Sequence, residues 1–453
     1  MLEVDVIVVG MGPGGEDLAG RLAAAGLSVA GLDDRLVGGE CPYWGCVPSK
    51  MMIRAANLLA EANRIPGMAG AVRVQPDWAP VARRIRVEAT DDWDDKVAVD
   101  RFTGKGGQFF RGHGRITAPG EVTVGDQVLR ARRGIVLNPG TEPFVPPIDG
   151  LAGTPYWTNR EAIEATEVPG SLLVIGGGPV GVELSQAFAR FGARVTVLEG
   201  TRCLVPAEEP EACELLREVF ARDGIGVRTG ATVTAVRHDG SGFTVTFSGD
   251  AGGQVTAEAV LVATGRRTDL AGLGVGVVGV DESGPTIPVD DHMRVAPGVW
   301  AIGDVTGHGA FTHMSEYEAN IVVADILGQP VWPAEYHAVP RVTFTDPEIG
   351  SVGLTEVRAR EQGVSVRTSF AKLSESARGW IHKAGNDGFI KLVADTDRGV
   401  LVGATSVGPV GGEVLSMLTL AVHARIPVRR LGQMIYAYPT FHRAIEPAVQ
   451  ALV

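Results

Sequence analysis

VDVIVVGMGPGGEDLAGRLAAAGLSVAGLD, residues 4–33, decides the fold. An apolar run opens it, and a G-x-G-x-x-G turn follows at Gly10, Gly12 and Gly15. An amphipathic stretch then ends at Gly26, and a second apolar run closes on Asp33. This is the pattern of strand, tight turn, helix and strand. The chain uses it twice. Residues 170–199, GSLLVIGGGPVGVELSQAFARFGARVTVLE, carry Gly176, Gly178 and Gly181, a helix end at Gly192 and an acid at Glu199. In both copies 17 residues separate the third glycine from the acid.

The physics is the same in each copy. The first glycine makes the tight turn, the second lets backbone approach a pyrophosphate, and the third lets helix pack on strand. Free N–H groups and the positive end of the helix dipole then face the phosphates, while the acid reads a ribose. One such motif alone is weak, since any glycine turn can imitate it. Two in register, each with a strand before and an acid after, predict two bound dinucleotides.

Just beyond the first copy stands GGECPYWGCVPSK, residues 38–50, with Cys41 and Cys46 five positions apart. On an ideal helix that is one and a half turns, which splays the sulfurs. A distorted first turn beside Gly45 brings two Cα atoms into the disulfide range of about 4.4–6.8 Å. The pair is either a redox-active disulfide held against a bound cofactor or two inert buried thiols. The adjoining nucleotide fingerprint favours the first. Two thiols are what such chemistry needs, because one can neither store two electrons nor resolve a mixed disulfide.

At 453 residues, with 45% hydrophobic and 21% charged residues and 61 glycines, the chain reads as a multidomain α/β enzyme rich in tight turns. Its net charge of -12 argues against a nucleic-acid partner. Acids at Glu3 and Asp5 stand where a signal peptide would carry positive charge, and no apolar run reaches bilayer-spanning length. Four cysteines are too few for a secreted disulfide scaffold, so a cytoplasmic protein is expected. Residues about 50–110 read as helices, with Asp91–Asp95 as a solvated face, and residues 110–145 as a small β-meander. Cys203 and Cys213 read as ordinary buried residues.

With these residues in view, the chain resembles the class I pyridine nucleotide-disulfide oxidoreductases, the family of dihydrolipoamide dehydrogenase, glutathione reductase and mercuric reductase. The resemblance runs nearly end to end. It is carried by both glycine motifs, the C-x4-C-x-P-S-K segment, ATGRRTDL at 263–270, AIGDVTG at 301–307 and TFTDPEIGSVGLTE at 343–356. It implies two Rossmann-like dinucleotide-binding domains and a C-terminal α/β dimerisation domain. An FAD domain at 1–150 and 264–335 would be interrupted by an NAD(P)H domain at 151–263, and residues 336–453 would build a homodimer.

The resemblance also implies roles for single residues. Cys46 is the flavin-facing thiol and Cys41 the exposed interchange thiol. Lys50 sits near the flavin and pairs with Glu183. Asp33 holds the adenosine ribose of FAD, although the family more often has Glu there. Asp304, in the Gly303-Asp304 turn, accepts from the ribityl chain, and Gly114 and Thr312 match further FAD contacts. Glu199, Val233 and Gly265 match contacts to the nicotinamide nucleotide. A carboxylate at Glu199 favours NADH over NADPH, with Arg202 able to soften that preference. No metal ligands are assigned.

The departures from the family concern the acceptor. Its disulfide-active members carry His-Pro-Thr-x-x-Glu, with the His of one subunit serving the thiol of the other. Here the run is Tyr438-Pro439-Thr440-Phe441-His442-Arg443. A phenol is a poor base at neutral pH but a competent donor, so Tyr438 takes the active-site position and lipoamide loses ground as the acceptor. His442 lies about one helical turn away and points elsewhere. Mercuric reductases are similar in having tyrosine there, yet they carry a C-terminal cysteine pair, and this chain ends AIEPAVQALV. Pro42, Tyr43 and Trp44 fill the loop between the cysteines, and LNPGTEP (137–143) stands where the family has an ATG-type strand end.

The reading is therefore a flavoprotein that passes electrons from NAD(P)H through FAD to Cys41/Cys46 and on to a small disulfide. Direct flavin-based reduction of a quinone or metal ion is the alternative, and a non-catalytic FAD-binding subunit the reading outside enzymes.

Overall fold

The computed structural model describes residues 1–249 and 252–453. The chain divides into two compact units. One holds Met1–Ser49, Arg83–Phe144 and Arg266–Glu335; the other holds Lys50–Ala82, Val145–Gly265 and Tyr336–Val453.

In the first unit the strand Leu2–Val9 is the centre of a sheet, flanked in parallel by Val29–Asp33 and Gln127–Leu137. Gln108–Arg111 extends one edge, and Val299–Ala301 with Arg294–Ala296 extends the other. Strands buried on both faces need continuous apolar runs, and Val4, Val6, Ile7 and Val8 are fully buried. The helix Pro13–Ala24 returns across the sheet from the glycine turn. It packs on Thr312–Ile326 so closely that a Cβ at Gly14 would lie 2.7 Å from the Ser315 carbonyl oxygen. The expected meander is present as the antiparallel strands Gly114–Ala118, Glu121–Val124 and Gln127–Leu137.

Among the described residues the second unit contains distinct apolar clusters. Around the first, four parallel strands run in the order Gly226–Thr229, Arg194–Glu199, Ser171–Ile175, Ala259–Val262. An antiparallel sheet from Thr232–His238, Phe243–Ser248 and Gly253–Ala257 shares their apolar cluster. The C-terminal block is a five-stranded antiparallel sheet with its own cluster, covered by the helices Gly411–His423 and Ile445–Gln450. The segments expected as the NAD(P)H domain and the dimerisation domain thus lie in one compact unit.

Ion pairs lace these cores together. Lys391, buried in the strand Phe389–Asp395, donates to Glu209 at 2.9 Å and Glu211 at 2.7 Å, with Glu356 at 3.1 Å. Arg341 holds Glu208, and Arg190 holds Asp346.

Two local expectations are corrected. Residues 50–110 are only partly helical: the helix Cys46–Asn63 is followed by irregular chain, then Ala79–Arg84, a π-turn at Ile85–Ala89 and Lys96–Thr103. The acidic run is not uniformly a solvated face either. Asp91, Asp92 and Trp93 adopt positive φ, and that turn drives Asp95 inward. There Asp95 takes the Val37 amide at 2.7 Å and the Arg111 guanidinium at 2.5 Å. A carboxylate inside the protein requires such partners, and the run supplies one acid to meet them.

Candidate active site

Cys41 and Cys46 do not share a helix. Cys41 lies on the single turn Glu40–Tyr43, the chain breaks at Trp44 and Gly45, and Cys46 starts the long helix Cys46–Asn63. Gly45 permits the break, since a Cβ there would stand 3.0 Å from the Glu40 carbonyl oxygen. Both cysteines are thiols, hydrogen-bonded to each other. Cys46 Sγ is 3.6 Å from Thr312 Oγ1. Thr312 is the first residue of a helix whose amides no side chain caps, so a positive dipole end faces the pair. The Cys41 thiol is pushed well above the usual thiol range, first by its hydrogen bond to Cys46 and then by burial. In the chain alone Cys41 is half-buried and Cys46 exposed.

The expected ion pair is present in the second unit. Lys50 Nζ lies 2.8 Å from Glu183 Oε2, and Glu183 Oε1 accepts the Phe344 amide at 2.8 Å. Glu183 is buried on the helix Pro179–Arg190, while Lys50 Nζ stands 4.6 Å over the Phe344 ring. Phe344, from the TFTDPEIG segment, thus orients both partners. Nothing local marks it in the sequence.

Both glycine turns have the form a pyrophosphate requires. A Cβ at Gly10 would fall 2.0 Å from the Asn138 carbonyl oxygen, and one at Gly15 would fall 2.2 Å from that of Gly10. In the second copy the same distances are 2.3 Å at Gly176 and 2.0 Å at Gly181, whereas a Cβ at Gly178 would meet only open space. Gly12 and Gly178 are extended N-caps without side-chain bonds, each followed by Pro at the first helical position, so the helix amides stay available.

The two acids close their turns in parallel ways. Asp33 accepts the Met11 amide at 2.9 Å and the Arg35 amide at 2.8 Å. Burial raises its pKa, and these two bonds oppose the rise. Glu199 accepts the Gly177 amide at 2.5 Å and the Thr201 amide at 2.6 Å. Each carboxylate keeps lone pairs for a ribose.

Gly114 lies flush against Val9 and Leu32, whose side chains would have to shift to admit a Cβ there. Gly303 donates its amide to the fully buried Glu318 at 2.6 Å, and Asp304 accepts from Thr141 Oγ1 at 2.6 Å. Arg266 in turn binds the Thr141 hydroxyl at 2.7 Å. Thr141, from the unusual LNPGTEP stretch, thus links Asp304 to Arg266. Glu318 and Thr141 are absent from the sequence reading, although an acid on the apolar helix Thr312–Ile326 is a visible signal. Val233 sits on the strand Thr232–His238, and Gly265 has φ +124° with open space beside its Cα.

Tyr438 is 70% exposed, with the Arg443 guanidinium 5.5 Å over its ring. Arg443 pairs with Glu446 at 2.9 Å, so the residue that replaces the family's Glu still meets a carboxylate. His442 starts a short 3-10 turn, its ring centroid 6.4 Å from that of Tyr436. Cys203 and Cys213 correct the sequence reading. They are joined as a disulfide, with Cα atoms 5.8 Å apart, rather than being two separate thiols.

Residues 4–320 match the family model described as pyridine nucleotide-disulphide oxidoreductase, and residues 339–449 match its dimerisation domain. The chain belongs to the pyridine nucleotide-disulphide oxidoreductases. It is 34% identical to a dihydrolipoyl dehydrogenase of Thermus scotoductus, covering 100% of this chain and 98% of that one. It is 33% identical to a mercuric reductase of Streptomyces lividans, covering 98% and 95%. LpdA from Mycobacterium tuberculosis superposes with a TM-score of 0.86 at 26% identity over the full length of both chains. As a pyridine nucleotide-disulphide oxidoreductase of class I, the protein is an FAD-dependent enzyme that oxidises NAD(P)H and acts on a disulfide group. Its residues fit both dinucleotides, through two uncapped helix ends and two glycine cradles that exclude side chains. Among the described residues no helix is long and apolar enough to cross a membrane.

Proposed function

We propose that electrons pass from NADH through FAD to Cys41/Cys46 and from there to a small disulfide. The single observation that carries this reading is the reach of Cys41 to Cys46 beside Thr312, on a helix break that needs Gly45. Bound FAD supplies the two-electron relay between the nicotinamide and the cysteine pair.

The rest is done by the chain's own side chains. In the reduced pair Cys41 holds its proton more firmly than an ordinary thiol, first through its hydrogen bond with Cys46 and then through burial. Once deprotonated, Cys41 attacks one sulfur of the acceptor disulfide, forming a mixed disulfide and releasing one thiolate. Cys46 then attacks the Cys41 sulfur, closing the Cys41–Cys46 bond and releasing the second thiolate. One acceptor disulfide becomes two thiols, and the pair is oxidised by two electrons. Lys50 and Glu183 provide a fixed charge pair for the nicotinamide-to-flavin step. Glu199, already oriented by two amides, favours the ribose hydroxyl of NADH over a 2′-phosphate.

Dihydrolipoamide is not the preferred partner in this reading. Two relatives with different named activities stand at nearly equal identity, so identity does not rank the acceptors. The distinguishing residues are Tyr438 and Arg443, where a phenol under a guanidinium replaces the imidazole base. Tyr438 serves as a hydrogen-bond donor to the interchange step from the other subunit of a homodimer. This role accords with its exposure in one chain. We place the enzyme in the cytoplasm, where a reduced cysteine pair persists.

The test is anaerobic titration with NADH of the wild type and of Cys41→Ser, followed by a panel of disulfides, quinones and metal ions. A long-wavelength thiolate–flavin band at two electrons, with turnover abolished by Cys41→Ser, supports the reading. Unchanged turnover in Cys41→Ser would favour direct flavin-to-acceptor reduction, and no NADH consumption with any acceptor would favour a binding subunit.

A further inference from the structure

We infer that Cys203 and Cys213 form a second dithiol–disulfide couple, whose redox state sets the affinity of this enzyme for the pyridine nucleotide. The inference rests on the reading of Gly176–Glu199 as the nucleotide site. Cys203 comes four residues after Glu199, in the loop between the strand Arg194–Glu199 and the helix Pro210–Arg222. That loop is tied to the glycine turn at several points. Thr201 donates its amide to Glu199 at 2.6 Å and its hydroxyl to the Cys203 carbonyl at 2.9 Å. Val205 donates to the Gly177 carbonyl at 2.8 Å, and Leu204 packs where a Cβ on Gly177 would have to go.

The other end of the bond is anchored differently. Cys213 is 3% exposed in the helix Pro210–Arg222, whose N-cap Glu209 is buried against Lys391 and accepts the Glu356 amide at 2.7 Å. The helix is therefore the fixed partner and the loop the restrained one. With the bond closed, the loop that carries Thr201 is held beside the carboxylate that reads the ribose. With it open, the loop regains the freedom a cross-link removes.

The chemistry is thiol–disulfide exchange with a low-molecular-weight disulfide as oxidant. Cys203 is only half-buried and is attacked or attacks first. Its thiolate forms a mixed disulfide and releases one thiolate. Cys213 then displaces the second, so one oxidant molecule gives two thiols and the chain gains one internal bond. An excess of dithiol reverses both steps. In a reducing compartment such a bond acts as a sensor rather than a permanent brace.

The experiment uses the holoenzyme carrying Cys41→Ser and Cys46→Ser, so that only this couple responds. It is equilibrated with oxidised glutathione or with dithiothreitol, freed of the reagent, mapped by peptide mass spectrometry, and titrated with NAD+ by calorimetry. A Cys203–Cys213 cross-link in the oxidised sample is expected, with NAD+ bound about 5-fold more weakly after reduction. Adding Cys203→Ser should fix the weaker value in both samples. No cross-link at any glutathione ratio, or equal affinity in both samples, overturns the inference. Glu199→Ala separates the two levels. If it weakens NAD+ binding while redox state has no effect, only the switch fails; if it binds NAD+ like the parent, the site reading fails and the switch with it.

Discussion

Glu183 divides its two oxygens between Lys50, at 2.8 Å, and the Phe344 amide, also at 2.8 Å. One buried carboxylate therefore fixes both a charge and a backbone segment. Replacing it separates the two tasks. Glu183→Gln keeps an acceptor for Phe344 but removes the charge, and flavin reduction by NADH should slow about 10-fold with little loss of stability. Glu183→Ala should cost a further ~1–3 kcal/mol, the penalty for a buried amide without a partner. Stopped-flow reduction and urea denaturation of both variants check the difference.

The glycine turns give a contrast between folding and binding. At Gly15 a Cβ meets backbone at 2.2 Å, so Gly15→Ala should lose bound FAD and fold poorly. At Gly178 a Cβ meets only open space, so Gly178→Ala should keep the melting temperature of the parent. Its defect should appear only in NADH affinity, where the new methyl opposes backbone approach to the pyrophosphate. Flavin content, thermal melting and nucleotide titration distinguish the two.

Cys41 predicts a pH dependence. Its hydrogen bond to Cys46, and then its burial, hold its pKa above the ordinary thiol value of about 8.5. The thiolate fraction in the reduced enzyme should thus climb about 10-fold per pH unit through the neutral and mildly alkaline range. Alkylation of Cys41 by iodoacetamide, followed by mass spectrometry from pH 7 to 9, should rise without levelling off. A plateau near the ordinary thiol value would contradict the arrangement.

Lys391 carries a stability prediction. Burial works against its charge, but the bonds to Glu211, Glu209 and Glu356 outweigh that and raise its pKa. A lysine favoured in its charged form stabilises the fold fully below its unfolded pKa, and the benefit fades as pH rises through the folded value. Lys391→Met leaves the buried Glu209 without its cation and should cost about 3–5 kcal/mol. Urea midpoints should show that gap unchanged from pH 6 to 9 and narrowing only in strong alkali.

What was legible in the sequence was local. Both glycine turns, their acids and the expected meander follow from periodicity and spacing within about 30 residues. The Lys50–Glu183 pair spans 133 residues, and only a family resemblance suggested it. Asp95 was misread because four neighbouring acids look alike until the turn at Asp91–Trp93 selects one for the interior. The Cys203–Cys213 bond escaped because no spacing rule joins a loop to the next helix across ten residues. Thr141 depends on Asp304, 163 residues away, whereas Glu318 binds Gly303 and Thr306 only 15 and 12 residues before it, and neither carries a motif of its own.

The joint at Trp44 and Gly45 means that sulfur spacing is governed by a few backbone torsions rather than by helical pitch. The turn that carries Cys41 is thereby set apart from the eighteen-residue helix that begins at Cys46. Pro42, Tyr43 and Trp44 lie on or next to that short turn, so side chains there can vary without touching either glycine cradle.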